Sequence, residues 1–487
     1  MCAHSCKKKI SNIHSGGLST YVPGWVKKDP QRFPRAYLRD AEGVCRVADV
    51  LSIFYSEAQK ADAKAFSTLM QHIKEIDEDK FTVVMVQVEN EVGLLGDSRD
   101  RGIAANGRFE SPVPREVLDM LSHQNWDYLN GSIKKNLEVF YSSTSADNLS
   151  WDSVFGSGPH ADEIFMAYHY ALYLEKVASA GKSSYDIPLY TNVWQNYAGE
   201  DGENDFPVIV GGGGLPGDYP SGGAVPHVLD IWLSVAPSLD FVAPDIYLND
   251  YSKSCAKYRH RNQPLFVPEQ RRDEYGARRM WVAYGSFQAL GVSPFGIDTV
   301  NPDSNPFKKH YGLLAKVSSH VLQAQCSPDS SIGFFFDELM PDGHDPSPSV
   351  TKTFGDWHLI IERSFVFGKP GPGFGMIIHL GAAKFLLIGE GFHVRFSSTN
   401  PDSVFTGILS FTEKKVIDES TGAMQTLRRL NGDETRSGKM AIMPAEEPDY
   451  GSFPICVTVP AGTRIAECEV YQLSDPVTCL SCDHRSL

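Results

Sequence analysis

Two strand ends in this chain close in carboxylates. The run FTVVMVQV, residues 81–88, leads into Glu89-Asn90-Glu91, and PLFVPE, residues 264–269, ends in Glu269 before Gln270. In parallel α/β folds, reactive groups collect at the C-terminal ends of strands, because those ends and the loops after them line one open mouth. A pair of carboxylic acids facing each other across a pocket is the equipment of glycoside hydrolysis. One protonates the leaving oxygen, and the other attacks the anomeric carbon or activates water. Burial and a neighbouring negative charge hold the acid's proton, while hydrogen-bond donors keep its partner ionised. A single glutamate at a strand end serves equally well to bind an arginine or cap the next helix, so the chemistry requires the pair. Strand alternation sets Glu89 and Glu91 on the same side, and periodicity does not choose between them. Tyr247, at the end of DFVAPDIY, could hydrogen-bond the nucleophile or the sugar. Trp194, which closes LYTNVW, and Trp281 could stack on an apolar sugar face. His160 and His227 have no recognisable partner and read as structural residues.

Those side chains need a frame, and hydrophobic periodicity supplies one. Phe66, Leu69, Met70, Ile73 and Ile76 recur at helical spacing before the charged EIDEDK. FTVVMVQV then reads as a strand covered on both faces, since its apolar residues run without sustained alternation. The unit repeats: Phe165, Tyr168 and Leu172 stripe a helix closed by Gly181, and IPLYTNVW follows as a second strand. Val228, Leu229, Trp232 and Val235 mark a further helix, after which DFVAPDIYL and PLFVPE read as strands. A helix from Arg278 to Leu290 leads into GVSPFGI. Helices alternating with parallel-type strands specify an α/β domain. From about residue 340 the pattern changes, with PDGHDPSPS and GKPGPGFG as punctuation. Then KFLLIG, FHVRFSS, TGILSF, ICVTVP and CEVYQL alternate between turns, as in an all-β sandwich. The expected division is an α/β domain over residues 1–345, a linker over 346–372 and a sandwich over 373–478. GGGG at 211–214 and GKPGPGFG lack the flanks of phosphate cradles and read as loops.

Composition narrows the partners. The 487 residues are 42% hydrophobic and 22% charged, close to globular averages. The 45 Lys plus Arg against 60 Asp plus Glu give a net charge of −15, and the only basic run is Lys7 to Lys9, so nucleic acid and anionic membrane are excluded as expected partners. The opening MCAHSCKKKI has no apolar stretch of a secretory leader, and the expected location is cytoplasmic. Nine scattered cysteines argue for plain thiols. Cys479 and Cys482 form a CxxC without a second pair of ligands, so no metal is expected.

The residues also carry a resemblance. VQVENEVG resembles the Q-x-E-N-E-x-G segment of family 35 glycoside hydrolases, the β-galactosidase family of clan A. YVPGWVKKDPQRFPR, GDYPSGGAVPHVLDIW, LDFVAPDIYL and PLFVPEQRRDEYGARRMWVAYGSFQALGVSPFGID look like further segments, in the right order, of a branch with a C-terminal β-sandwich. The resemblance implies a (β/α)8 TIM-type barrel, with Glu91 as acid/base, Glu269 as nucleophile and Asn90 holding the sugar 2-hydroxyl. Glu89 is the competitor for Glu91, and the family's Asn-Glu order favours Glu91. It further implies retaining hydrolysis of a terminal β-galactoside, without metal or organic cofactor. The match begins about three strands in, with strands four to eight recognisable, so the expected barrel is truncated at its N-terminal side. Two alternatives stay open: a non-catalytic carbohydrate-binding or interaction protein, and a different β-glycosidase of the same clan.

Overall fold

The computed structural model describes residues 22–137, 140, 142, 149–196, 213–327, 329–364, 371–445 and 458–474. These form two compact units that divide between Gln270 and Arg271. The CxxC of Cys479 and Cys482 and the Lys7 to Lys9 run lie outside the described residues, as does the first half of ICVTVP.

The first unit is mixed α/β. A hairpin, β1 (Arg35–Arg39) with β2 (Cys45–Leu51), precedes the long helix α1 (Ser56–Asp77). Then come β3 (Val86–Gln87), helix α2 (Pro159–Ser184), β4 (Leu189–Trp194), helix α3 (Leu229–Val235), β5 (Phe241–Asp245), helix α4 (Tyr251–Tyr258) and β6 (Phe266–Gln270). β3, β4 and β5 form a three-stranded sheet, parallel throughout. A parallel bridge from Ile246 to Gln270 carries the order on to β6. Among the described residues of this unit the parallel sheet does not close into a complete (β/α)8 barrel.

Three local expectations change. The strand expected over 81–88 is reduced to Val86 and Gln87, because the backbone at Val83 is bound by the Asp77 carboxylate at 2.7 Å, and Thr82 bonds it as well. Phe81 and Val84 are consequently exposed. Helix α2 is buried on nearly every side rather than along a stripe, and Leu172 is one of its exposed positions. Gly181 does not close α2, which runs on to Ser184. A Cβ at Gly181 would stand 2.2 Å from Cε1 of Phe66, so glycine is there to let α1 lie against α2.

The second unit begins with helix α5 (Glu274–Phe287), β7 (Gly291–Pro294) and helix α6 (Pro306–Gln325). Two antiparallel sheets follow, built from β8 (Ser331–Phe336), β9 (Val350–Phe354), β10 (Trp357–Arg363), β11 (Gly373–Gly381), β12 (Lys384–Glu390), β13 (Phe392–Ser398), β14 (Ser403–Asp418), β15 (Ala423–Arg429), β16 (Met440–Met443) and β17 (Ile465–Ser474). The four-stranded sheet runs β16-β13-β10-β9, and the six-stranded sheet runs β15-β14-β17-β12-β11-β8. Their inner faces share one core that includes Phe336, Leu359, Leu387, Val394, Phe411 and Val470, the interior of a β-sandwich. The stretch 346–372, expected as a linker, carries β9 and β10 and supplies Trp357, Leu359 and Ile361 to that core. Turn residues at both ends of the stretch hid an ordinary hairpin between them. Trp281 belongs to this unit's interior: it is fully buried, stacks on Phe374 and donates from Nε1 to His310 Nδ1 at 2.9 Å.

Candidate active site

The parallel sheet of the first unit brings distant segments to one place. Tyr190 on β4, Phe241 on β5 and Phe266 on β6 pack ring against ring, with Tyr190 stacked on Phe241 at 5.3 Å and edge-on to Phe266 at 5.2 Å. They form a buried apolar cluster together with Ala243. Two residues further along the same strands, hence on the same face, stand Asn192 and Asp245. The polar site therefore rests on an apolar floor, a setting in which electrostatic interactions are stronger than in water.

Three carboxylates converge there. Glu91, Asp245 and Glu269 each offer an oxygen, and these oxygens lie within 4.8 Å of one another. Glu91 follows β3, Asp245 closes β5 and Glu269 is the penultimate residue of β6. Glu269 and Asp245 are buried, while Glu91 is partly open. Tyr247 donates from its hydroxyl to Glu269 Oε2 at 2.8 Å. Burial pushes the Tyr247 phenol far above its ordinary value, and the charges of Glu269, Asp245 and Glu91 push the same way, so it stays a hydrogen-bond donor.

Amides tie these groups together. Asn192 Oδ1 accepts from the Glu91 backbone N–H at 2.9 Å and from Gln87 Nε2 at 3.0 Å. Its Nδ2 donates to Asp245 Oδ2 at 2.6 Å and to Asn90 Oδ1 at 3.3 Å. Gln195 Nε2 donates to the Asp245 carbonyl at 2.8 Å, and its Oε1 accepts from Ser254 Oγ at 3.0 Å. Trp194 ends β4, half-buried, paired in register with Asp245.

Glu89 stands apart from the carboxylate group. The expectation that alternation would set Glu89 and Glu91 on one side requires extended backbone, whereas both residues are left-handed, with φ of 58° and 45°. The Glu89 charge instead helps raise the phenol of Tyr173, which is buried in α2 and bonded to Asp62 of α1. Left-handed backbone at a residue with a Cβ costs on the order of 1–3 kcal/mol, and such strain clusters at functional sites.

The segment after Glu91 is fixed to α2 and to the loop before α3. Arg99 Nε and Arg101 Nη2 donate to the Asp162 carboxylate at 2.9 and 2.8 Å. Leu94 and Ser221 exchange backbone hydrogen bonds at 3.0 and 2.9 Å. His227 does have a partner, contrary to expectation: its Nε2 lies 2.5 Å from Glu163 Oε2 and 2.9 Å from the Tyr219 hydroxyl. His160 is exposed.

Gln87, Asn192 and Asp245 were missed by the sequence reading. The strand-end rule that found Glu91 and Glu269 also covers Asp245, the last residue of β5, but an amide inside the apolar LYTNVW gives no such signal. Among the described residues, Glu91, Asp245 and Glu269 are the group whose geometry could hold a cation. Their all-oxygen donor set suits a hard ion such as Mg2+ or Ca2+.

Residues 307–442 match a family model described as a domain of unknown function, DUF5597. No curated protein matches the chain. Solved structures similar to it include the β-galactosidase of the psychrophilic Marinomonas ef1, at 14% identity and a TM-score of 0.38, covering 62% of this chain and 48% of that one. The β-galactosidase of Bacillus circulans sp. alkalophilus is also 14% identical, with a TM-score of 0.37 and coverage of 64% and 46%. A β-galactosidase of Rahnella sp. R3 is 13% identical, with a TM-score of 0.28 and coverage of 51% and 33%. The chain thus spans about half the length, or less, of these structures. At such scores they assign neither its fold nor its activity.

Proposed function

We propose that this chain is a retaining glycoside hydrolase, similar to family 35 enzymes, that cleaves terminal β-galactosides by double displacement. The observation that carries the reading is the convergence of Glu91 and Glu269, 178 positions apart in sequence, to within 4.8 Å, one following β3 and the other near the end of β6. That spacing fits the closer of the two arrangements used by glycosidases, about 5 Å, in which the second carboxylate attacks directly. Glu269 attacks the anomeric carbon as Glu91 gives its proton to the departing aglycone. Glu91 then takes a proton from water, and the resulting hydroxide displaces Glu269 and frees the sugar. Tyr247, held protonated, steadies the nucleophile and returns as a donor when the covalent bond breaks. Asn90 Oδ1 already accepts from Gln87 at 3.0 Å, which turns its amide nitrogen toward the role of donor to a sugar 2-hydroxyl. Trp194 offers its ring to an apolar sugar face.

The test is a dinitrophenyl 2-deoxy-2-fluoro-β-galactoside, whose glycosyl-enzyme breaks down slowly. Mass spectrometry should find one added fluorosugar, on Glu269, and Glu269→Gln should abolish it. A label elsewhere, or none, overturns the reading. Matching mannosides and glucosides separate galactose preference from that of another β-glycosidase. The non-catalytic alternative is favoured by one feature, the unclosed parallel sheet of the described residues, which leaves strand edges without the pairing a barrel provides. It expects sugar binding by calorimetry with no label and no turnover.

A further inference from the structure

We infer that Asn192 is the positioning residue of this site, setting Glu91 through its backbone and Asp245 through its carboxylate; the inference rests on the hydrolase reading above. β4 lies between β3 and β5, so a side chain from it reaches both neighbours. The main-chain ladder between β3 and β4 stops early: Val88 donates to the Tyr190 carbonyl at 2.7 Å, and beyond it the chain turns left-handed at Glu89 and Glu91. Asn192 takes over where that ladder ends. Its Oδ1 receives the Glu91 N–H, so a side chain continues the tie to β4 after the main-chain bonds from Val86 and Val88 have ended.

The opposite end of the amide performs a different task. Nδ2 donates to Asp245 at 2.6 Å, aligning a third carboxylate beside Glu91 and Glu269. Asn192 is only 1% exposed, so water does not substitute for either contact. The pattern needs an acceptor and a donor on one short planar group. Aspartate would turn an oxygen against Asp245, and an aliphatic residue would remove both contacts. Asn192 touches neither the sugar nor a reacting atom on this account. Its effect passes through the placement of the acid.

The experiment compares two galactosides by kcat/KM, which reports the aglycone-releasing step. Methyl β-galactoside needs a proton from Glu91 to lose its alcohol; 2,4-dinitrophenyl β-galactoside does not. Asn192→Asp should lower kcat/KM about 100-fold for the first and less than about tenfold for the second, the size of a misplaced general acid. Adding Asp245→Asn restores a donor facing an acceptor and should recover most of the loss on the methyl glycoside. Equal losses on both substrates, or no recovery in the double variant, overturn the inference while leaving the hydrolase reading standing. Absence of turnover by the unaltered chain on both substrates overturns the two together.

Discussion

At Tyr247, burial and three negative neighbours act in the same direction on one proton. The phenol donates to Glu269 at 2.8 Å and is held far above its ordinary ionisation range. It therefore remains neutral as pH rises through 10, and ultraviolet titration should assign none of the tyrosinate that forms near that pH to Tyr247. Tyr247→Phe removes a hydrogen bond to an ionised group, worth about 1.5–3 kcal/mol. The expected outcome is a fall in kcat of roughly ten- to hundredfold with KM little changed, measured on an aryl β-galactoside. Residue type and strand-end position brought Glu269, Tyr247 and the choice between Glu89 and Glu91 forward in the sequence, and the family resemblance favoured Glu91. The shared facing expected of Glu89 and Glu91 fails because the left-handed turn after β3 breaks the alternation from which facing is read, whereas Asn192 went unnoticed because an amide inside the apolar LYTNVW carries no local signal.

Helix pairing sets the frame at the scale of elements. α1 and α2 are in contact where Gly181 meets the ring of Phe66, with Met70 Cγ at 3.2 Å from where a Cβ would stand. Gly181→Ala must push the ring or the helix, an overpacking cost of about 1–3 kcal/mol. Thermal unfolding by circular dichroism should show the melting temperature falling, and Phe66→Leu added to Gly181→Ala should recover part of that fall. An unchanged melting temperature in the single variant would mean that α1 and α2 do not approach as closely as described. The helical spacing of Phe66, Met70 and Ile73 made α1 visible from its own residues. What Gly181 does was not visible, because a glycine near a helix end has two local uses and only the neighbouring helix decides between them. The hairpin of β9 and β10 was obscured in a similar way, by proline and glycine clusters on both sides of it.

For the whole molecule, histidines packed among side chains in both units tie stability to pH. In the first unit His169 sits among Phe54, Trp151, Phe165 and Tyr168, and burial lowers its pKa to about 3, with the Arg108 charge adding to the effect. In the second, His310 is lowered chiefly by burial, against the pull of Glu274. Both groups take up a proton more readily when unfolded, so stability is full above about pH 6.5 and declines as pH falls below it. His227 runs the other way: Glu163 outweighs its burial and raises it, so its contribution is present below that pH and fades as pH rises through the raised value. Denaturant unfolding between pH 7.5 and 5 should show a decline, and His169→Phe should flatten it by an amount on the order of 1–3 kcal/mol at pH 5. A variant with the unaltered slope would show that His169 is not kept neutral by the fold. The sequence by itself determined the alternation of helices with parallel-type strands, the β-rich second half and the acidic strand ends, since each is written in the periodicity of residues only a few positions apart. Only the tertiary structure decided that Glu91, Asn192, Asp245, Tyr247 and Glu269 meet, that Glu89 does not join them, and that residues 350–363 belong to the sandwich. Those outcomes depend on strand register and close approach between segments remote along the chain, which no local pattern encodes.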